Sequence, residues 1–509
     1  MSIYDIIIKK NNGGLKMNTE KQIINDNIFK IISSNYFRQL KDKTQLFSAG
    51  NYECYRNRLT HSLEVKNIAF EIARGLEKEF SRIEYNCNFD LIEAISLAHD
   101  IGHTPFGHIG ERTLQKIMTR EDCLGGMLCI KNEKLFFKHN VNSIRILINN
   151  ISKVHWKILD GVVKHTSVKY KNPEYKDISN GIGLISKNEK DSLYSLNSNY
   201  NDYIKEKVDI ALNTTYDNLG FALTIEGQIV AMADEIAQRI ADFDDTYKSR
   251  YAFQVLNEIE ELSFIKESKS FADVILSIKN LLIKKLCVEI TKKHNLENYS
   301  KECVICFNEI KKFKEKKAQK ISFTKEDLKS GKYINYKIST FIDEVVTKSE
   351  YVREMDAKAN FIIRQLFKAY FNNFEQLPDS TLRILIQDVS DFLHNNLKYD
   401  YIKRIIKTLC IDLSNSSDYK KDIQNIFYLN KFNIKKERLI NISNLSIVVK
   451  IMNDICANGY TNEVGIDKKE IHNSYKFGNI FMINIANYIS EMTDGYAVHE
   501  FEKLYLQNC

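Results

Sequence analysis

At 509 residues, 44% of them hydrophobic and 27% charged, the chain can bury a large core and has the make-up of an ordinary globular protein. Only 19 glycines and 3 prolines interrupt it, which argues against an architecture of tight hairpins and for a mainly helical one. The 73 basic and 66 acidic residues leave a net +7, too mild for a nucleic-acid signature and equally suited to a polyanionic small substrate.

Residues 1–28 are polar and read as a flexible N-terminal extension, with Met17 available as a second start. Their short apolar run has its charge on the wrong side for a signal peptide, and no stretch approaches the roughly 20 apolar residues of a membrane span. A soluble, cytoplasmic protein is expected. From Ile31 the sequence reads as a helix leading into a turn. Residues 59–80 form an amphipathic helix, with His61, Val65, Ile68, Ile72 and Leu76 on one face. Residues 90–99 form a second, buried helix with Asp90 as its N-cap. DIGHTPFGHIGE follows, holding three of the 19 glycines and one of the 3 prolines, a non-helical turn where backbone approaches something closely. Helical patterns resume at 139–165 and 225–245. Residues 168–220 read as a polar surface insertion, and 251–509 as successive helices. The basic run at 311–320 fits a solvated helix face. The ten cysteines contain one CxxC, Cys303 to Cys306, without a second pair, so reduced thiols are expected rather than a zinc ribbon.

Seven of the eleven histidines fall between His61 and His165. A single buried histidine is usually satisfied by a carbonyl. The adjacent His99–Asp100 at the end of a buried helix is different, because a buried carboxylate is expensive unless a cation or a donor network compensates it. Asp234 shares its stripe with Val230, Ala237 and Ala241 and faces inward too. Mixed His and Asp donors suit Mn²⁺, Mg²⁺, Fe²⁺, Co²⁺ or Zn²⁺ better than Ca²⁺. His61, His99, Asp100 and Asp234 are the candidate ligands.

Their H…HD…D order resembles the HD-domain superfamily of metal-dependent phosphohydrolases. The flanking segments FRQLKDKTQLF, RNRLTHSLEVKNIA, AHDIGHTPFGHIGE, FKHNVNSIRIL, LDGVVKHT, ADEIAQRIADFDD and ISEMTDGYAVHEF resemble deoxyguanosine triphosphate triphosphohydrolases, in order from about residue 30 to the C-terminus. The resemblance implies an all-α fold with room for one small β-hairpin. A catalytic core would span 29–250, and a helical region, 251–509, would contribute to the oligomer and the pocket. It implies one divalent ion per subunit and hydrolysis of dGTP or other dNTPs to deoxynucleoside and inorganic triphosphate, by water attack at the α-phosphate. His108 matches the catalytic histidine that serves as general acid, Glu111 the residue orienting it, and His103 a contact to the α-phosphate. Gln45, Arg58, His139, Asn140, Asp242 and, less directly, Lys164 match substrate-binding positions. Gln238 departs from a tyrosine that many relatives place under the sugar, which leaves base and deoxyribose selectivity open. The resemblance further implies a homo-hexamer or tetramer, and leaves open a dNTP activator and single-stranded nucleic acid as partners. The alternatives are another HD-type nucleotide phosphohydrolase or phosphodiesterase, and a non-catalytic nucleotide or single-strand binder. The binder predicts loss of His108 or Glu111, and both are present.

Overall fold

The computed structural model describes residues 19–45, 56–79, 87–125, 135, 137–151, 154–165, 222, 224–248, 271–293, 350–382, 384–385 and 468–506. The expected insertion at 168–220, the basic run and the CxxC lie outside them. Most of the described residues are helical. No strand occurs among them, and the one isolated bridge they show is antiparallel, between Thr44 and Asn57. No helix among them is long and apolar enough to cross a membrane.

Helix α1 (Thr19–Ser33) begins within the stretch expected to be an extension. Its polar residues conceal an inward stripe, with Ile24, Asn27 and Ile31 buried. Ser34 ends α1 and caps α2 (Asn35–Gln39) by accepting from the Phe37 amide. The long α3 (Arg58–Glu79) buries Val65, Ile68, Ala69, Ile72, Ala73 and Leu76, the three-and-four spacing read from the sequence. In α4 (Phe89–Ala98) the cap is Asn88, which accepts from the Leu91 amide at 3.0 Å, and Asp90 lies in the first turn instead.

The glycine-rich segment is only half irregular. A turn over 99–106 leads into α5 (Gly107–Met118) through two left-handed residues, Phe106 at φ 59° and Gly107 at φ 60°. Gly102 lies so close to the next helix that a Cβ there would stand 2.2 Å from the Ser143 amide nitrogen. The expected helical run 139–165 is two helices, α6 (His139–Asn150) and α7 (Trp156–Val163). Beyond them come α8 (Ile225–Lys248), α9 (Phe271–Lys293), α10 (Glu350–Asn372), α11 (Lys468–Ser490) and α12 (Asp494–Tyr505).

Two apolar clusters organise these helices. The first joins α1 through α4 with α6 through α9, and takes in Val352 at the start of α10. The second joins α5 to α10, α11 and α12. Both clusters draw on helices from either side of residue 250, since α9 enters the first and α5 belongs to the second. The turn over 99–106 runs from one cluster to the other, and the site lies on that seam.

Candidate active site

His61 stands on α3, His99 caps the C-terminal end of α4, and Asp234 projects from α8, the helix most extensively packed on α3. Their ligand atoms lie within 4.8 Å of one another. His61 Nε2 donates to Asp234 Oδ1 at 2.9 Å, and His99 Nε2 is 3.7 Å from the same oxygen. His99 Nδ1 donates to the Ser96 carbonyl at 2.7 Å, which fixes the tautomer and turns the Nε2 lone pair inward. That buried nitrogen finds no hydrogen-bond partner among the described residues. An unsatisfied imidazole lone pair facing a carboxylate and a second imidazole fits a divalent first-row ion.

Asp100 is placed differently from the other three. Its Oδ2 is 3.6 Å from His99 Nε2 but takes a 2.7 Å salt bridge from Arg58 Nη1. Burial works to raise the Asp100 carboxyl. Arg58, then His99, His103 and His139, overcome it and hold the group well below the usual carboxylate range. Arg58, expected to clamp phosphate, is buried; its Nε donates to the Thr44 carbonyl at 3.1 Å.

A second cluster adjoins the first across the turn. His108 Nδ1 lies 3.4 Å from Glu111 Oε2, one helical turn along α5, as the spacing predicts. The other Glu111 oxygen is 2.8 Å from His139 Nδ1 and accepts the His139 amide at 3.0 Å. His103 stacks on His139, with ring centroids 4.6 Å apart, and neither His103 ring nitrogen has a hydrogen-bond partner among the described residues. Burial raises the Glu111 carboxyl, but His139 and the hydrogen bonds from His108 and His139 bring it well below its ordinary value. Burial pushes the His108 imidazole down, and its hydrogen bond to Glu111 opposes this. His103 is also driven well down, by burial and then by Arg58.

The HD domain family matches residues 58–238, which span all four candidate ligands and the His108–Glu111 pair. Proteins named deoxyguanosinetriphosphate triphosphohydrolase-like are similar over most of the chain. The one from Rickettsia felis is 30% identical over 395 residues, covering 73% of this chain and 85% of that protein. The one from Rickettsia bellii is 31% identical over 69% of this chain and 79% of its own length. The one from Rickettsia canadensis is 30% identical over 76% and 90%. The chain belongs to this family. As an HD-domain, deoxyguanosinetriphosphate triphosphohydrolase-like protein it is a metal-dependent phosphohydrolase.

Not every expected substrate residue in this HD-domain protein is placed alike. Gln45 is buried beside Arg58, and its Oε1 has no hydrogen-bond partner among the described residues. Asn140 is buried and donates to the Val163 carbonyl at 2.6 Å, so it ties α6 to the end of α7. Lys164 is buried in an ion pair with Asp160 of its own helix. Asp242 is buried two turns beyond Asp234, 3.8 Å from Arg239.

Three residues were given no role in the sequence reading. His165 Nδ1 donates to the Val162 carbonyl at 2.5 Å, while its Nε2 lies 3.2 Å from His139 Nε2. Lys43 and Asp494 reach the same seam from opposite ends of the chain. His165 was visible as the last histidine of the cluster, whereas nothing local marks the other two.

Proposed function

We propose that the protein is a dNTP triphosphohydrolase, acting on dGTP and open to other dNTPs, that releases deoxynucleoside and inorganic triphosphate. The observation that carries this reading is the adjacency of two units. A His61–His99–Asp234 donor set lies beside a His108–Glu111–His139 chain with Asp100 between them. The family supports the substrate class, since its members are named for dGTP.

His61, His99, Asp100 and Asp234 would hold one divalent ion, Mn²⁺ or Mg²⁺ before Fe²⁺, Co²⁺ or Zn²⁺. Bound there, it would supply Lewis acidity at the α-phosphoryl group and a site for the attacking water. Arg58 keeps Asp100 ionised and oriented, and its remaining N–H groups serve the phosphates. The leaving 5′-oxygen needs a proton, which His108 would donate as general acid while Glu111 holds its ring. Burial pushes the His108 imidazole below its ordinary value. A polyanionic triphosphate beside it shifts the imidazole back toward its protonated form, so substrate charge arms the acid. His103, whose two ring nitrogens have no hydrogen-bond partner among the described residues, offers a donor to the α-phosphate. Gln45, His139, Asn140 and Asp242 shape the sugar end, with Lys164 contributing least because Asp160 holds it. Gln238 in place of a stacking tyrosine predicts weak discrimination against ribose. Work in the cytoplasm as a homo-hexamer, with tetramer the alternative, completes the proposal.

The test is incubation with each dNTP and Mn²⁺ or Mg²⁺, with products resolved by chromatography. Deoxynucleoside plus triphosphate is expected. Monophosphate plus pyrophosphate, or a diphosphate, would overturn the assignment.

A further inference from the structure

The catalytic helix α5 starts from a backbone conformation that does not hold itself. Phe106 sits at φ 59°, ψ 27°, a left-handed state that a non-glycine residue keeps only when its surroundings impose it. Its amide donates to Asp494 Oδ1 at 2.8 Å, across 388 positions of sequence. The other oxygen of Asp494 accepts the Thr44 amide at 3.2 Å and the Thr44 hydroxyl at 2.7 Å. One buried carboxylate thus joins the Phe106–Gly107 segment to the Thr44–Gln45 segment against which Gly107 packs. A Cβ on Gly107 would come within 3.3 Å of the Gln45 carbonyl and 3.4 Å of Arg58 Nη2. Lys43 completes the clamp. Its ammonium donates to the His103 carbonyl, three residues before Phe106 in the same turn, and to the Ser490 carbonyl at 2.9 Å.

We infer that Asp494 is a positioning residue for catalysis: from the first turn of the last helix it holds the left-handed Phe106–Gly107 entry to α5 and so aims His108. This rests on the reading of His108 as the general acid. Asp494 touches none of the candidate ligands or substrate residues through its side chain. Its effect should therefore fall on kcat, with metal content intact.

The test compares full-length wild type with Asp494→Ala, Asp494→Asn and Glu491→Gln. Glu491 pairs with Arg145 at 2.6 Å in the same junction, without a tie to Phe106, and so serves as the control. Asp494→Ala is expected to lower kcat at least 20-fold, with KM changed less than fivefold and metal per subunit unchanged. Asp494→Asn keeps one carbonyl oxygen for the Phe106 amide and should recover most of that loss. Glu491→Gln should stay within twofold of wild type. In a crystal structure of Asp494→Ala, Phe106 should leave the left-handed region and the His108 ring should move by more than 1 Å.

An unmoved turn, a kcat within threefold of wild type, or an equal fall in Glu491→Gln would overturn the inference. If Asp494→Ala does not fold, Asp494→Glu takes its place, with its oxygens displaced by one methylene and a fall of at least fivefold expected. If wild type leaves every dNTP intact, the functional reading fails, and the crystallographic comparison alone decides this one.

Discussion

Glu111 is the residue on which the second cluster turns, because its two oxygens face different histidines, His108 at 3.4 Å and His139 at 2.8 Å. In Glu111→Gln one oxygen becomes an NH₂ that cannot accept, so one of the two rings loses its partner. The expected outcome is a fall in kcat of about 10²-fold to 10³-fold, within the range of general acid–base assistance, with KM little changed. Steady-state kinetics at saturating metal checks it. His165 makes a different prediction, about stability. Burial, then His99 and His139, push its imidazole down to about 3. A histidine whose folded pKa lies below its unfolded value takes up its proton only on unfolding. Its contribution is therefore complete above pH about 6.5 and is lost as pH falls from there toward about 3. At pH 5 this amounts to about 2 kcal/mol. In metal-free protein, wild type should lose more stability between pH 7 and pH 5 than His165→Phe does. Parallel melting curves for the two would contradict the assignment.

At the level of elements, the turn between α4 and α5 was legible as irregular backbone from its glycines and its proline, but its extent was not. The segment resumes helix at Gly107 because Phe106 and Gly107 turn left-handed, and that conformation depends on Asp494, hundreds of residues away. The histidines and acids of the site were legible for a related reason. Helical phase turns His61 and Asp234 inward, and His99–Asp100 ends a buried helix. What phase cannot show is that Arg58 is committed to Asp100 or that Asn140 faces Val163. Those are choices among partners, settled only when helices pack. The same packing makes Gly102 sensitive. A Cβ there would lie 2.6 Å from the Asn142 carbonyl carbon and 2.7 Å from the His139 carbonyl oxygen, both backbone atoms of α6 that cannot swing aside. Gly102→Ala should therefore cost about 3 kcal/mol, the upper end of overpacking penalties, and displace α6 with His139. Thermal denaturation combined with turnover would show both losses together, and an unchanged melting temperature would refute the argument.

Across the whole molecule, the two apolar clusters carry different parts of the candidate site. His61, His99 and Asp234 stand on α3, α4 and α8, all in the first cluster, whereas His108 and Glu111 stand on α5, in the second with α10, α11 and α12. Metal retention and proton donation should then respond to different cores. Ile229 and Leu366 are fully buried apolar residues, one in each cluster, and truncating either to alanine should destabilise the fold by about 2–5 kcal/mol. Ile229→Ala loosens α8 against α3, so metal per subunit should fall and kcat should fall in proportion. Leu366→Ala loosens α10 beneath α5, so metal should be retained while kcat drops on its own. Elemental analysis of the purified variants, set beside kcat per bound metal, distinguishes the two. Equal loss of metal in both would mean that the cores act as one and that the seam between them has no functional meaning. A selective loss of turnover in Leu366→Ala would explain why helices from the far C-terminus are built into a site whose candidate ligands all lie before residue 235.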